Sequence, residues 1–234
     1  MSGHSKWSTI KRQKAVADAK RGNVFTKLGN AVTVAAKQGG GDPEANFKLR
    51  LAMDRAKAAN MPKENIERAV KRGTGELGGG VIEEISYGAL LPGQVAVIIN
   101  CTTDNKNRTL TDVKTTITKN GGQFTDLSSI TWQFENKGVI RIKKQDDLDE
   151  IIIESGADDY IEDEEEITIY TRPEDLQSVK ENLENNEIKV ESANLEMVAK
   201  EAKEIDDATL EKATKILDAL DEIDDVNDYF TNLK

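Results

Sequence analysis

Apolar residues recur at intervals of three and four over the first third of the chain, and at alternating or clustered positions over much of the rest. The first pattern predicts helices and the second predicts short strands separated by further helices. In the first third, Val24, Leu28, Val32 and Ala35 stand four, four and three apart, which places them on one helical face. Gly39-Gly40-Gly41 stops that helix. Asp42 followed by Pro43 reads as an N-cap with proline at the first helical position. The helix after it turns Phe47, Leu51 and Ala58 inward and ends near Asn60. Pro62 restarts a short helix with Ile66 and Val70 inward, closed by Gly73. Ahead of these, Trp7, Ile10 and Ala17 share a loosely apolar side of a strongly basic segment that Gly22 weakens. Four such amphipathic segments bury their faces as a small bundle. The glycine-rich run 74–80 then reads as a linker. Gly73, Gly75 and Gly78 complete a G-x-G-x-x-G spacing there, but the run follows a helix rather than a strand, which is the wrong setting for a phosphate cradle.

Beyond the linker, 81–87 and 94–101 read as strands, the second rich in Val and Ile. A helix over 108–120 carries Leu110, Val113 and Ile117 inward. Alternation predicts strands at 130–134 and 139–142, joined as a hairpin across Glu135-Asn136-Lys137-Gly138. There follow a helix at 147–154, paired strands at 158–162 and 167–171, a helix at 173–185, an extended stretch at 188–198, a helix at 208–220 with Leu210, Ala213, Ile216, Leu217 and Leu220 inward, and a closing strand at 226–230. The expected fold class is α+β: an N-terminal helical bundle followed by two small α/β domains of antiparallel sheet and helices, one inserted in the other. The domain boundaries expected are 1–75, then 76–126 together with 199–234, with 127–198 inserted. The C-terminal strand would complete the sheet begun near residue 81.

Charge sharpens this division. Of the 234 residues, 1–75 hold 16 Lys/Arg against 6 Asp/Glu, a net of +10, whereas 76–234 hold 16 against 37, a net of −21. A basic head on an acidic body suits a polyanionic partner met at one end. No apolar run approaches the roughly 18–20 residues of a membrane span. The opening MSGHSKWSTIKRQ lacks the apolar core of a secretory signal, so a cytoplasmic chain starting at Met1 is expected. Cys101 is the single cysteine and lies in an apolar strand, and His4 is the single histidine. Neither a thiolate metal cluster nor a Cys-His or Ser-His-Asp set can be assembled from them. The acidic stretches 158–166 and 221–228 lack the order of a calcium loop and read as solvated surface. No catalytic residue, metal, cofactor or small-molecule substrate is expected.

The strongest candidate for chemistry is the basic segment itself. Lys6, Lys11, Arg12, Lys14, Lys20 and Arg21 set six cations within sixteen positions, with Asp18 the one acid among them, and Lys27 follows. Such cations neutralise phosphates and release condensed counterions, an affinity that does not depend on sequence. Trp7 beside Lys6 either offers a face on which a base stacks or packs into the core of the head. A second candidate is the loop Asp104-Asn105-Lys106-Asn107-Arg108, which joins a strand to a helix. Asp104 or Asn107 would cap the helix while Lys106 and Arg108 project at the sheet edge. Arg68, Lys71 and Arg72 end a helix, where the dipole also favours cations.

Several long stretches resemble the YebC/PmpR family. They are Gly3-His4-Ser5-Lys6-Trp7, Asp18-Ala19-Lys20-Arg21-Gly22, Phe25-Thr26-Lys27-Leu28, Gly39-Gly40-Gly41-Asp42-Pro43-Glu44-Ala45-Asn46, Asn60-Met61-Pro62, Asn65-Ile66-Glu67-Arg68-Ala69, Lys71-Arg72-Gly73 and Thr103-Asp104-Asn105-Lys106-Asn107-Arg108-Thr109. The similar order runs to the C-terminus. The resemblance implies a helical first domain, two α/β domains and a non-enzymatic role in gene expression. Bacterial members are described as DNA-binding transcriptional regulators. The family is also linked to translation, through a mitochondrial activator of synthesis of a cytochrome oxidase subunit and through ribosome-associated relatives that relieve stalling at proline runs. The chain departs from the family pattern at Ala89-Leu90-Leu91-Pro92-Gly93 and at Gly29-Asn30-Ala31.

Three readings follow: a DNA-binding transcriptional regulator, a translation factor that binds ribosomal RNA on the ribosome, and an adaptor whose acidic body meets a basic partner. Charge supports the first two equally, because phosphates look alike to lysine. No helix shows the Gln/Asn/Arg reading face of a helix-turn-helix, so sequence-independent contact is the simpler expectation.

Overall fold

The computed structural model describes residues 21–77 and 82–234, with the side chains of Arg21, Gly22 and Asn23 excepted. In its first part three helices pack on one another. α1 (Arg21–Gly39) is crossed by α2 (Phe47–Ala58) and α3 (Lys63–Gly73). Their shared core is Val32, Ala35, Ala36, Leu49, Ala56, Met61, Ile66 and Ala69, with Phe25, Leu28 and Val70 half-buried against it. The inward face of α2 is therefore Leu49, Leu51 and Ala56, while Phe47 is half-buried and Ala58 exposed. Of the three residues expected inward Leu51 alone is buried, and α2 starts four residues later than Pro43 suggests. Residues 43–45 form a single turn, with the Asp42 carboxylate accepting from the Glu44 amide at 2.9 Å.

Asn46 is the N-cap of α2. Its Oδ1 accepts from the Leu49 amide at 3.1 Å, and its Nδ2 donates to the Ala35 and Gly40 carbonyls, each at 2.8 Å. One buried amide thus closes the end of α1 and the start of α2 together.

Small residues bring α1 and α3 into close approach. The Thr33 hydroxyl donates to the Ala69 carbonyl at 3.0 Å across the two helices. A Cβ on Gly73 would collide with the Thr33 carbonyl and sit 2.7 Å from the Ala36 Cβ. Both obstacles are attached to the α1 backbone, so they cannot swing away. Gly73→Ala is expected to destabilise the helical part by about 2 kcal/mol, more than the modest gain in helix propensity offsets. Urea unfolding checks this, and an unchanged midpoint would contradict the close approach.

The next part is a four-stranded antiparallel sheet, sheet A, built from β1 (Glu83–Leu91), β2 (Val95–Thr103), β3 (Gln123–Thr125) and β8 (Val226–Thr231), in the order β3-β1-β2-β8. The C-terminal strand does complete the sheet begun after the linker. Alternate residues of β1 and β2 (Tyr87, Ala89 and Leu91; Val95, Val97, Ile99 and Cys101) face α4 (Lys106–Lys119) and α8 (Asp207–Asp221). Those helices bury Val113 and Ile117, and Ala213, Ile216, Leu217 and Leu220. Leu210 is half-buried, and Leu110, expected inward, is exposed, its place on the inner face being taken by Thr109.

Asn100 lies between Ile99 and Cys101 and so turns to the opposite face. There it accepts from the Ser86 hydroxyl at 2.7 Å and stands opposite Asp228 on β8. Arg55 of α2 reaches Asp228 at 3.7 Å, so the helical part meets the sheet on this second face. Lys37 donates to the Ile82 carbonyl at 3.0 Å and Gln38 to the Glu84 carboxylate at 2.9 Å along the same seam.

The predicted strand at 130–134 is not formed. α5 (Ser128–Thr131) occupies that stretch, with the Ser129 hydroxyl donating to the Asp126 carbonyl and the Thr131 hydroxyl to the Leu127 carbonyl. Side chains that bond their own backbone outcompete the alternation of Ile130, Trp132 and Phe134. Nor is there a hairpin across Glu135–Gly138, since those residues lie inside β4 (Phe134–Lys143).

The described residues up to Phe134 together with Ala199–Lys234 form one compact unit, and Glu135–Val198 forms another. The second unit runs β4, α6 (Asp149–Glu154), β5 (Asp159–Glu162), β6 (Glu166–Thr171), α7 (Leu176–Asn185) and β7 (Val190–Ala199), with its strands in the order β5-β6-β4-β7. β6 pairs antiparallel with β4 on one side and with β5 on the other. Ile140, Ile142, Ile167, Ile169, Ile152, Leu176, Val179 and Leu183 are among its buried apolar side chains. Arg141 and Glu196 join β4 to β7 as a two-bonded pair at 2.6 and 2.9 Å. The Glu196 carboxylate holds the Arg141 guanidinium in its charged form, although burial opposes that charge.

Candidate nucleic-acid interface

Lys6, Trp7, Lys11, Arg12, Lys14 and Lys20 lie outside the described residues. Arg21 opens α1 as described, with its side chain outside them too. Lys27 sits one and a half turns further along α1. Its ammonium donates to the Asp221 carbonyl at 2.6 Å, at the C-terminal end of α8. A helix C-terminus carries partial negative charge, so this is a favourable seat for a cation. Lys27 therefore ties the head to the body. Further along the head, Lys57 pairs with Asp54 at 3.3 Å, Lys63 with Glu67 at 3.6 Å, and Arg68 with Asn65 at 2.9 Å. Lys71 and Arg72 are exposed at the end of α3, and neither side chain has a partner among the described residues.

The loop between β2 and α4 is held by a different logic from the one expected. Asn105, not Asp104 or Asn107, caps α4: its Oδ1 accepts from the Arg108 amide at 3.1 Å. The Thr103 hydroxyl oxygen accepts from the Asn105 amide at 2.9 Å and so sets the approach to that cap. Thr103, Arg108 and Thr109 then turn on Asp225, whose side chain is only 14% exposed. Its carboxylate accepts from the Thr109 hydroxyl at 2.7 Å, from the Thr103 hydroxyl at 3.2 Å, and from the Arg108 guanidinium at 2.9 and 3.1 Å. The Asp225 carbonyl accepts from the Thr102 amide at 2.8 Å.

Arg108 also reaches Asp104 at 3.1 Å, and its ionisation is shifted further upward chiefly by the Asp225 hydrogen bonds. Lys106 pairs with Glu83 at 2.8 Å and lowers the pKa of that carboxyl. The Tyr87 hydroxyl reaches the Lys106 carbonyl at 3.4 Å. Both projecting cations of the loop are thus engaged by nearby carboxylates, Lys106 by Glu83 and Arg108 by Asp225 and Asp104. Asp225 carried no usable signal in the sequence: it lies within an acidic run, 116 positions from the threonine it serves.

Cys101 is buried, and burial pushes its thiol up to about 12. A thiolate is the reactive form, so Cys101 is expected to resist alkylation in the folded protein at neutral pH and to react once urea unfolds it. Rapid labelling of the native protein would contradict its placement. Among the described residues there is no group of His, Cys, Asp and Glu that could hold a metal ion, and no helix long and apolar enough to cross a membrane.

A helical part seated on one face of a discontinuous antiparallel sheet, with a second α/β unit inserted, defines a multi-part α+β protein. Two family models cover nearly all of it: the TACO1/YebC protein N-terminal domain matches residues 5–76, and the TACO1/YebC second and third domain matches residues 82–233. The chain belongs to the TACO1/YebC family.

It is 48% identical to a probable transcriptional regulatory protein of Persephonella marina, covering 100% of this chain and 96% of that one. Proteins of the same description from Geobacter sulfurreducens, 46% identical over 99% of this chain and 95% of theirs, and from Chlorobaculum parvum, 45% identical over 100% and 95%, are similar throughout. The crystal structure of a conserved hypothetical protein from Aquifex aeolicus matches with a TM-score of 0.86 at 43% identity, covering 93% of this chain and 91% of that one.

Proposed function

We propose that this chain is a non-enzymatic, nucleic-acid-binding regulator of gene expression, acting in the cytoplasm. It holds phosphates through Lys6, Lys11, Arg12, Lys14, Lys20 and Arg21. The observation that carries the reading is the segregation of charge, +10 over residues 1–75 against −21 over the remainder. An acidic body repels a polyanion, so the basic head is the principal point of contact. The names of the curated relatives, probable transcriptional regulatory proteins, support a transcriptional setting. The same head would serve equally on DNA or on ribosomal RNA, since counterion release does not distinguish the two backbones. The three-part division at 1–75, 76–126 with 199–234, and 127–198 gives this reading its natural units: a binding head and two acidic α/β parts that present it.

Fluorescence-anisotropy titration with duplex DNA and with an RNA hairpin, at rising salt, tests the proposal. Six phosphate contacts on duplex DNA would give a slope of log affinity against log salt of about −5. Affinity for neither probe, or affinity indifferent to salt, would overturn it.

A further inference from the structure

We infer that the outer face of α4 is a second phosphate-binding surface, contacting the backbone of the nucleic acid that the head engages; the inference rests on the reading proposed above. α4 is an exception in the body. It carries Lys106, Arg108, Lys114 and Lys119 against a single acid, Asp112, whereas the rest of 82–234 holds 12 Lys/Arg against 35 Asp/Glu.

The structure sorts the four cations into two kinds. Lys106 and Arg108, at the N-terminal end, are spent on Glu83 and on Asp225 with Asp104. Lys114 and Lys119 are exposed, and neither has an ion-pair partner among the described residues. With the inner face of the helix fixed by Thr109, Val113 and Ile117, the stripe Asn107, Thr111, Lys114 and Thr118 must point outward, and all four are exposed.

The chemistry of the stripe selects the partner. The Thr111 hydroxyl donates to the Asn107 carbonyl and the Thr118 hydroxyl to the Lys114 carbonyl, each at 2.8 Å. Those two donors are spent on the helix itself, so the stripe keeps one base-reading side chain, the Asn107 amide, too little to read a run of base edges. Protein interfaces are anchored by buried aromatic and apolar side chains, and this face offers only the marginally exposed Leu110. A phosphate backbone needs no such anchor. The Asp225 knot has a role here as well: it fixes the N-terminal end of α4 to the sheet, so the two lysines are presented on a rigid rod.

The test is the salt dependence of binding, read by anisotropy with duplex DNA and with an RNA hairpin, for the full chain and for Lys114→Gln/Lys119→Gln. Both lysines are exposed, and a matching thermal unfolding curve confirms that the variant folds. A control variant, Lys143→Gln/Lys189→Gln, removes the same charge from the inserted unit. The α4 variant is expected to flatten the salt slope by about 0.9 for each lost contact, and the control to leave it unchanged. An unchanged slope for the α4 variant, or equal flattening by both variants, would overturn the surface while leaving the head reading intact. Failure of the unaltered chain to bind either probe would overturn both.

Discussion

Asp225→Ala is expected to destabilise the body as strongly as truncating a buried core leucine. The carboxylate is nearly buried and accepts hydrogen bonds from Thr103 and Thr109, both buried, besides the Arg108 guanidinium. Removing it strands the Thr103 donor and leaves the Thr109 hydroxyl only the Asn105 carbonyl at 3.1 Å. It also unties the start of α4 from the turn between α8 and β8, two segments more than a hundred positions apart in the chain. Hydrogen bonds to a charged acceptor contribute about 1.5–3 kcal/mol each, so a loss of about 3 kcal/mol is expected after partial rescue by water. Urea unfolding at neutral pH measures it. Thr109→Val, which removes one donor and keeps the shape, should cost roughly a third as much and should be less than additive with Asp225→Ala. Full additivity would show that Thr109 and Asp225 act independently, which the 2.7 Å contact does not allow.

Reversing Lys11, Arg12 and Lys14 to Glu should have the largest effect on binding. Each phosphate contact contributes about 0.9 decade of affinity at 0.1 M salt on duplex DNA, so loss of three lowers affinity by on the order of several hundredfold. Repulsion from the new carboxylates adds to that. Stability should be unaffected if these side chains are solvated. The same reversal applied to Lys27 should behave differently, because its ammonium is seated on the Asp221 carbonyl. There the expected result is a loss of stability along with any loss of binding, since a glutamate would face the negative end of α8.

The sequence was most informative where burial is periodic. Ala213, Ile216, Leu217 and Leu220 recur at helical spacing because one stripe of α8 covers one sheet face, and all four are buried. The closing strand was legible for the same reason: Val226 and Tyr229 belong to the core that Ile99 and Cys101 line. Reading failed where a local hydrogen bond competes with periodicity. Asp42-Pro43 carries every mark of a helix start, yet the cap is Asn46, because only that amide also reaches the Ala35 and Gly40 carbonyls. At 130–134 a perfect alternation of apolar residues lost to Ser129 and Thr131 bonding their own backbone. In the β2–α4 loop the cations were visible and their partners were not. Glu83 and Asp225 come from distant strands and turns, so no spacing rule could have paired them with Lys106 and Arg108. Motif recognition located that loop, and the geometry shows it to be a knot that positions α4.

A nucleic acid is met chiefly by the basic head, with the outer face of α4 as a second contact, while the acidic surfaces of the body stay clear of it. The most direct measurement is ultraviolet crosslinking in cells, followed by sequencing of the attached nucleic acid and mapping of the crosslinked peptides. The account expects crosslinks concentrated within residues 6–27, with Lys114–Lys119 as a weaker second group. Promoter DNA on those peptides would make the chain a transcriptional regulator, and ribosomal RNA would make it a translation factor. Recovery of no nucleic acid, or crosslinks spread over the acidic parts with none in the head, would contradict the account.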